Sequence, residues 1–269
     1  MSPIDLIALN ARKPACRGSE LSHEVREALA SGLIESKNLI EWLNVDRIRL
    51  VVSIAKEIND EALSSRIADA KESDEKLAAL KLSVKLARAL SPSIKLGDAN
   101  FQRLASHTSD VAREWAALLV GLQQGISFAK KLAWIKPFAD DSNPGVRELA
   151  WISLRADVIR DPIAAIKNLI PWTGSRTHTI RRYASEITRP RGVWAPHIPL
   201  LKADPQPGLA ILEPLLADES KYVRNSVANW LNDAGKTHPD WVRSITKRWT
   251  EASTCKETVA IVKRATRNL

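Results

Sequence analysis

Cysteine and histidine are scarce in this sequence, and each shortage excludes a class of protein. The 2 cysteines, Cys16 and Cys255, stand far apart in the chain of 269 residues, so we expect no disulfide framework. They predict two free thiols in a reducing cytoplasm. The 5 histidines are scattered and form no pair at metal-ligand spacing, so we expect no metal and no other cofactor.

Long apolar runs and alternating strand patterns are also missing. No apolar stretch reaches the roughly 18 residues that a transmembrane helix needs. The N-terminus lacks the basic-then-apolar order of a secretory signal. The 10 glycines form no glycine-rich phosphate loop. Because alanine, leucine, lysine and arginine are abundant while strand-type alternation is absent, we expect an all-α fold.

The basic charge is concentrated in two segments. The formal net charge of the chain is +9. Residues 176–191 contain 5 arginines and 1 glutamate, and residues 236–269 contain 8 lysines or arginines against 3 acids. The rest of the chain therefore sums to zero. Such an excess is typical of a surface that binds a polyanion, although charge alone equally allows a solvated basic surface.

Apolar residues recur at spacings of three and four along most of the chain, which predicts amphipathic helices. The clearest helices of the N-terminal part are predicted at residues 22–34, 45–58 and 73–90. Pro92 and Gly97 interrupt this pattern, which predicts a loop at residues 91–100.

From residue 105 onward the chain repeats a pattern of an apolar residue, an arginine and a small apolar residue three positions later. The four arginines, 34, 34 and 43 residues apart, are Arg113, Arg147, Arg181 and Arg224. Turn-forming segments precede them, and a helix precedes each turn. This order is typical of HEAT-like repeats, whose helix pairs must stack to bury their apolar faces. We predict one domain over residues 1–269, a right-handed α-solenoid with a concave basic groove, divergent at 1–100 and recognisable at 105–250.

The repeat register predicts which side of each second helix packs. In the second repeat the side expected to be buried carries Val146, Leu149, Ala150, Ser153 and Leu154. The opposite side should line the groove; in the second, third and fourth repeats it carries Glu148, Trp151, Ile152 and Arg155, then Arg182, Ser185, Glu186 and Arg189, then Asn225, Asn229, Asn232 and Lys236. A surface that only holds a phosphate backbone needs lysine and arginine. The acids, amides and indole of this predicted groove therefore indicate a role beyond phosphate binding.

Each of these side chains also has a structural interpretation that the sequence leaves open. Glu148 and Glu186 can pair with arginines of neighbouring helices. Trp151 belongs to the core if the register shifts by one residue. Trp194 follows the helix break expected at Pro190 and can cap the core.

Two motifs in this region resemble the DNA alkylation repair family, which comprises HEAT-like bacterial DNA glycosylases that remove N3- and N7-alkylated purines. RRYASEITRPRGVWA at residues 181–195 and SVANWLND at residues 226–233 are similar to motifs of the AlkC branch, more than to those of the AlkD branch. The resemblance covers roughly residues 105–250. A carboxylate motif of the branch falls on RELAWISL, which aligns its acid with Glu148.

The resemblance implies a glycosylase that hydrolyses the N-glycosidic bond of cationic alkylpurines in duplex DNA. It implies Glu148 as the catalytic carboxylate, with Asp233 and Glu186 in reserve. The residues expected to contact DNA, from the register and the resemblance together, are Arg182, Arg189, Arg191, Trp194, Trp151, Arg155, Asn229, Asn232 and Lys236. We expect a monomer in the cytoplasm, associated with the nucleoid when it binds duplex DNA with alkylated bases.

Departures from the branch motif favour other interpretations. Ile187 replaces a glycine, Gly192 and Val193 replace Leu-Pro, and Trp151-Ile152 replaces Ile-Arg. These changes favour a non-catalytic HEAT-like module that binds damaged or branched DNA. A protein-binding scaffold is the third alternative.

Overall fold

The computed structural model describes residues 5–68 and 78–269, and every regular element within these ranges is helical, as the sequence predicts. In chain order the α-helices are α1 (Leu6–Ala11), α2 (His23–Ala30), α3 (Leu39–Leu43), α4 (Arg47–Glu57), α5 (Leu63–Arg66), α6 (Ala79–Leu90), α7 (Ala99–Ala105), α8 (Asp110–Leu122), α9 (Phe128–Ala139), α10 (Pro144–Ser153), α11 (Arg155–Arg160), α12 (Pro162–Thr173), α13 (His178–Ile187), α14 (Pro199–Ala203), α15 (Leu209–Leu212), α16 (Lys221–Gly235), α17 (Pro239–Ala252) and α18 (Lys256–Ala265). Short 3-10 helices lie at Gly18–Glu20, Gln206–Gly208 and Glu213–Leu215. Among the described residues, no helix combines the length and the apolar character that a bilayer crossing requires.

The helices predicted in the N-terminal part are confirmed with shorter limits. The Ser22 hydroxyl caps α2, and the Asp46 carboxylate caps α4 by accepting from the backbone N–H of Arg49 at 2.9 Å. The third predicted helix is α6; residues 73–77 of that prediction lie outside the described residues. The predicted loop ends at Asp98, whose carboxylate accepts from the backbone N–H of Phe101 at 2.7 Å and so begins α7.

The described chain forms two compact units. One comprises residues 1–124 with 141–150, and the other comprises residues 125–140 with 151–269. Each unit buries its own apolar core, which includes Trp115 in the first unit and Trp230 in the second, both fully buried. The prediction of one domain over the whole chain stays a prediction.

Four turns share one hydrogen-bonding pattern, which confirms the repeat predicted from the arginine spacing. In each turn, the side chain of one residue, the turn residue, accepts a hydrogen bond from the backbone N–H two positions later, and the next helix begins one position after that. The turn residues are His107, Asp141, Ser175 and Asp218, with distances of 2.9, 2.8, 3.2 and 2.8 Å. They precede α8, α10, α13 and α16.

The repeated arginine anchors each turn. It stands six positions after the turn residue, and its Nη1 donates to the carbonyl oxygens of the turn residue and of the next residue. The four arginines are Arg113, Arg147, Arg181 and Arg224, and the distances lie between 2.5 and 3.1 Å. The guanidinium thus satisfies carbonyl groups that no helix pairs. Arg113 and Arg181 also reach a later turn carboxylate within their own unit, Asp141 at 2.8 Å and Asp218 at 2.6 Å.

Candidate nucleic-acid interface

The residues predicted to form a site lie on α10, α11, α13 and α16 and on the irregular segment between α13 and α14. Glu148 is half-buried on α10 and belongs to the first unit. The other predicted residues belong to the second unit; they are Trp151, Arg155, Arg182, Glu186, Arg189, Arg191, Trp194, Asn229, Asn232, Asp233 and Lys236. Residues 188–198 are called the Trp194 loop below.

Glu186 is the centre of a buried polar cluster on α13. One carboxylate oxygen accepts a hydrogen bond from Arg189 at 2.5 Å, and the other accepts one from the Ser226 hydroxyl of α16 at 2.6 Å. The guanidinium of Arg182 lies 3.5 Å from the same carboxylate and 4.3 Å from the centre of the Tyr222 ring, over which it stacks. Spacings of three and four residues place both arginines on the same side of the helix as Glu186.

Asp233 of α16 holds the other edge of the Arg189 guanidinium. Nε and Nη2 of Arg189 lie 2.9 and 2.8 Å from one Asp233 oxygen, and Nζ of Lys236 lies 3.3 Å from the other. Both carboxylate residues are 5 % exposed. Burial raises the pKa of Glu186, but Arg182 and Arg189 outweigh it, so the pKa is lowered and the group stays ionised. Glu186 thus pairs with arginines of its own helix and of the segment that follows it, and not with arginines of neighbouring helices as the structural alternative expected. Asp233 pairs with Arg189 across two elements.

Arg155 fastens the Trp194 loop from inside, so the prediction that it faces the groove is wrong. Its residue is 1 % exposed. Its guanidinium donates to the carbonyl oxygens of Ile187, Arg189 at 2.6 Å and Pro196 at 3.0 Å. Burial, helped by the nearby Arg189, lowers the pKa of Arg155 to about 10. These three carbonyl groups belong to the last residue of α13 and to two residues of the Trp194 loop. One guanidinium therefore holds the two ends of the loop together.

The Trp194 loop presents apolar side chains to solvent. Trp194 is 59 % exposed and Val193 is 75 % exposed. A Cβ on Gly192 would lie 2.8 Å from the carbonyl oxygen of Ala195, so the tight bend accounts for a glycine where the AlkC branch has leucine. A backbone hydrogen bond joins the residues near the two loop ends. The alternative that Trp194 caps the core is wrong, and its indole is available to a ligand.

Cations surround the Trp194 loop. Arg191 donates to the backbone carbonyl of Asp233 at 3.3 Å, which leaves its charge without a carboxylate partner there. Partial burial and the neighbouring cations, among them Lys202 and Arg191, lower the pKa of His197. The same neighbouring cations attract anions to the loop.

Other side chains predicted on the groove side are covered. Trp151 is 3 % exposed, Ser185 is fully buried, and Asn232 is 5 % exposed. The Asn232 amide donates to a backbone carbonyl of α18 at 3.1 Å, and the Asn229 side chain accepts from Arg264 of α18 at 3.3 Å. The predicted packing side of α10 is buried apart from the half-buried Ser153. The prediction that is wrong concerns the side of each helix expected to line the groove. Trp151, Ser185 and Asn232 are buried there, because these helices pack on more than one side.

The sequence interpretation missed one carboxylate, Glu114 of α8 in the first unit. Glu114 and Glu148 each stand seven positions after their turn residue, so they are equivalent in successive repeats. Glu114 is fully buried; one oxygen accepts from the indole of Trp42 at 2.7 Å, and the other has no hydrogen-bond partner among the described residues. Burial raises its pKa well above the ordinary value. The repeat spacing contained the signal that would have found it.

Part of this chain is similar to a family of DNA repair proteins. Residues 148–263 match the family described as DNA alkylation repair enzyme. The uncharacterized protein YhaZ of Bacillus subtilis is 44 % identical over 117 residues, which are 44 % of this chain and 32 % of YhaZ. The match therefore spans less than half of that relative.

Two solved structures share the fold. The alkylpurine DNA glycosylase AlkC of Pseudomonas fluorescens, bound to DNA containing an abasic-site analogue, superposes with a TM-score of 0.68 at 23 % identity over 94 % of this chain and 64 % of AlkC. AlkD2 of Streptococcus mutans superposes with a TM-score of 0.55 at 22 % identity over 80 % of this chain and 97 % of AlkD2. The AlkC-like fold predicted from the motifs is confirmed.

Proposed function

We propose, from the similarity of residues 148–263 to the DNA alkylation repair enzyme family, that the chain is a monofunctional DNA glycosylase for cationic N3- and N7-alkylated purines. The observation that carries the proposal is the Trp194 loop, an exposed indole on a fastened loop with unneutralised positive charge beside it. An indole face attracts a cationic base or sugar with about 0.5–2 kcal/mol. The cations attract the phosphates on either side of a lesion.

The proposed chemistry needs a carboxylate more than a proton donor. An alkylated purine already carries a positive charge and leaves without protonation, while positive charge develops on the deoxyribose. A carboxylate beside C1′ stabilises that charge and orients the attacking water. We assign this role to Glu148, which is half-buried and which the resemblance to the AlkC branch aligns with the catalytic carboxylate.

The test is release of free bases. N-methylated genomic DNA is incubated with the protein, and 3-methyladenine and 7-methylguanine are measured in the supernatant. Glu148→Gln should lower the release rate by about 10²-fold or more while duplex affinity stays within about twofold. Glu251→Gln, an exposed acid of α17, is the matched control and should leave the rate unchanged. Unchanged turnover in Glu148→Gln would remove Glu148 from the chemistry.

The second candidate function is a non-catalytic module that binds damaged or branched DNA. It is favoured by the structural role of Glu186 and Asp233, which leaves Glu148 without a reserve among the predicted carboxylates. Release of neither base by the wild type, together with intact duplex binding, would establish this alternative in place of the glycosylase.

A further inference from the structure

A fifth turn of the repeated pattern precedes α18. The hydroxyl of Ser253 accepts a hydrogen bond from the backbone N–H of Cys255 at 3.4 Å, and α18 begins at Lys256, three positions after Ser253. Ser253 stands 35 positions after Asp218, the preceding turn residue. Helices α17 and α18 therefore form a fifth repeat. The arginine pattern concealed it, because Val259 stands where the other four repeats have the anchoring arginine.

Equivalent positions of the last three repeats form two rows. Eleven and fourteen positions after the turn residues, the rows are Glu186, Asn229 and Arg264, and Arg189, Asn232 and Arg267. Side-chain contacts support the register, since Arg264 donates to Asn229 at 3.3 Å and Asn268 donates to Asn232 at 3.3 Å. The polar side of α13 and α16 thus continues onto α18, and there both rows carry arginine.

These two arginines differ from Arg189 in what they contact. Arg189 is held between two buried carboxylates. Arg264 and Arg267 are exposed; Nε of Arg264 donates to an amide oxygen, and Nη1 of Arg267 donates to the backbone carbonyl of Arg264 at 2.7 Å. In the part of the chain that the structure describes, no carboxylate forms an ion pair with either arginine. Their charges remain available to an external anion.

We propose that Arg264 and Arg267 form a phosphate-binding site that grips the DNA backbone at the C-terminal end of this polar side. The proposal rests on the proposed DNA-binding function and names two residues that contribute to the affinity of the protein for DNA. Arg264 lies in the last turn of α18 and Arg267 just beyond its end, and the hydrogen bond from Nη1 of Arg267 to the carbonyl oxygen of Arg264 keeps the two residues close together. Both guanidinium forks can therefore contact one phosphate or two neighbouring phosphates. The planar fork matches the geometry of phosphate oxygens.

The proposal therefore assigns the phosphate contact to the repeat that follows α16, and not to Arg182 and Arg189, which were expected to contact DNA. Cations inside a neutralised cluster gain little from a phosphate, because binding it would cost them their buried carboxylates. Exposed cations lose only hydration and bound counterions, whose release favours binding.

The experiment compares two double variants, each of which loses two positive charges. Arg264→Gln/Arg267→Gln is compared with Arg243→Gln/Lys247→Gln, which removes two exposed cations of α17 that lie beside acids. A fluorescein-labelled duplex with an abasic-site analogue is titrated by fluorescence anisotropy between about 50 and 200 mM salt. The first variant should lower the slope of log affinity against log salt by about 2, at about 0.9 per phosphate contact, and the control by less than half of that.

The outcomes separate this site from the proposed glycosylase. A wild-type slope in the first variant, or equal losses in both variants, would overturn the phosphate site whether or not the protein releases bases. If the wild type binds but releases no base while the first variant loses slope, the glycosylase proposal fails and the phosphate site stands. Thermal melting checks folding, and Arg264→Lys/Arg267→Lys, which keeps both charges, should retain most of the slope.

Discussion

Individual arginines of this chain have structural or binding roles, depending on whether carboxylates pair with them. Arg189 stands between Glu186 and Asp233, whereas Arg191 donates to a backbone carbonyl and forms no ion pair with a carboxylate of the described residues. Removing one partner from a buried ion pair leaves the other charge uncompensated. The sequence motif that joins these two arginines therefore contains one structural and one available cation.

The residue Arg189 is expected to be a stability residue. Arg189→Met should lower the free energy of unfolding by about 3–5 kcal/mol, because the buried Glu186 and Asp233 would lose the arginine that they share and would face each other's charge. Arg191→Met is the control and should cost less than about 1 kcal/mol. Urea unfolding at neutral pH measures both. A stable Arg189→Met protein with a reduced salt slope in DNA binding would instead return Arg189 to the phosphate contacts.

The indole of Trp194 is expected to serve binding and not stability. Trp194→Ala should weaken binding to abasic-site duplex about tenfold, since stacking of a base on an aromatic ring contributes about 1–3 kcal/mol. The melting temperature should stay within a degree or two, because the side chain is 59 % exposed. Val193→Ala, the exposed neighbour, should leave the affinity unchanged. Equal affinity losses in both variants would mean that the loop conformation, and not the ring, matters.

The buried carboxyl of Glu114 predicts a pH-dependent stability. Its folded-state pKa is raised, mainly by burial, so the folded protein retains a proton that the unfolded chain releases, and stability falls as pH rises from the ordinary value toward the raised one. Glu114→Gln cannot ionise and should melt increasingly above the wild type as pH rises from about 5 to 9. The pKa of Glu41 is lowered, where burial opposes the stronger combined effect of Arg12 and backbone donors, so Glu41→Gln should show no such gain. A difference in melting temperature that does not change with pH would contradict the assignment to Glu114.

At the scale of the helix pair, the anchored turn is the repeated unit of construction. One side chain caps the coming helix, and one arginine returns from that helix to the turn carbonyls. Both interactions are local in sequence, so each turn is held by residues of its own repeat. Arginine is suited to this because a single planar guanidinium donates to two carbonyls at once.

The loss of stability on replacing an anchoring arginine should depend on which groups lose their hydrogen-bond or ion-pair partner. Arg224→Met removes the hydrogen-bond donor of two turn carbonyl groups. It should lower the free energy of unfolding by about 1–3 kcal/mol. Arg181→Met also removes the partner of the buried Asp218 and should cost more. Chemical unfolding of the two variants beside wild type gives the order. A reversed order would mean that Asp218 gains little from Arg181.

At the scale of the whole molecule, ionised buried carboxylates should make the protein sensitive to acid. The pKa of Glu186 is lowered, so its stabilising contribution is complete above its ordinary pKa of about 4.5 and is lost as pH falls through the lowered folded-state value. Glu186→Gln should be less stable than wild type at pH 7, and the difference should shrink below about pH 4.5. Urea unfolding across this range measures it, and a constant difference would mean that Glu186 is not ionised in the fold.

The helices, the four arginine-marked repeats and the family resemblance followed from the sequence, because apolar periodicity and turn chemistry depend on neighbours within a few positions. The chain by itself also identified Trp194 as a residue outside the helical register. Tertiary structure alone decided which charges are free: Glu186 meets Ser226 and Asp233 meets Arg189 across about 40 positions. It also revealed the fifth repeat, since the Ser253 turn keeps its geometry without the arginine that marks the others. Ionisation and exposure depend on distances between distant segments, and spacing along a chain does not contain those distances.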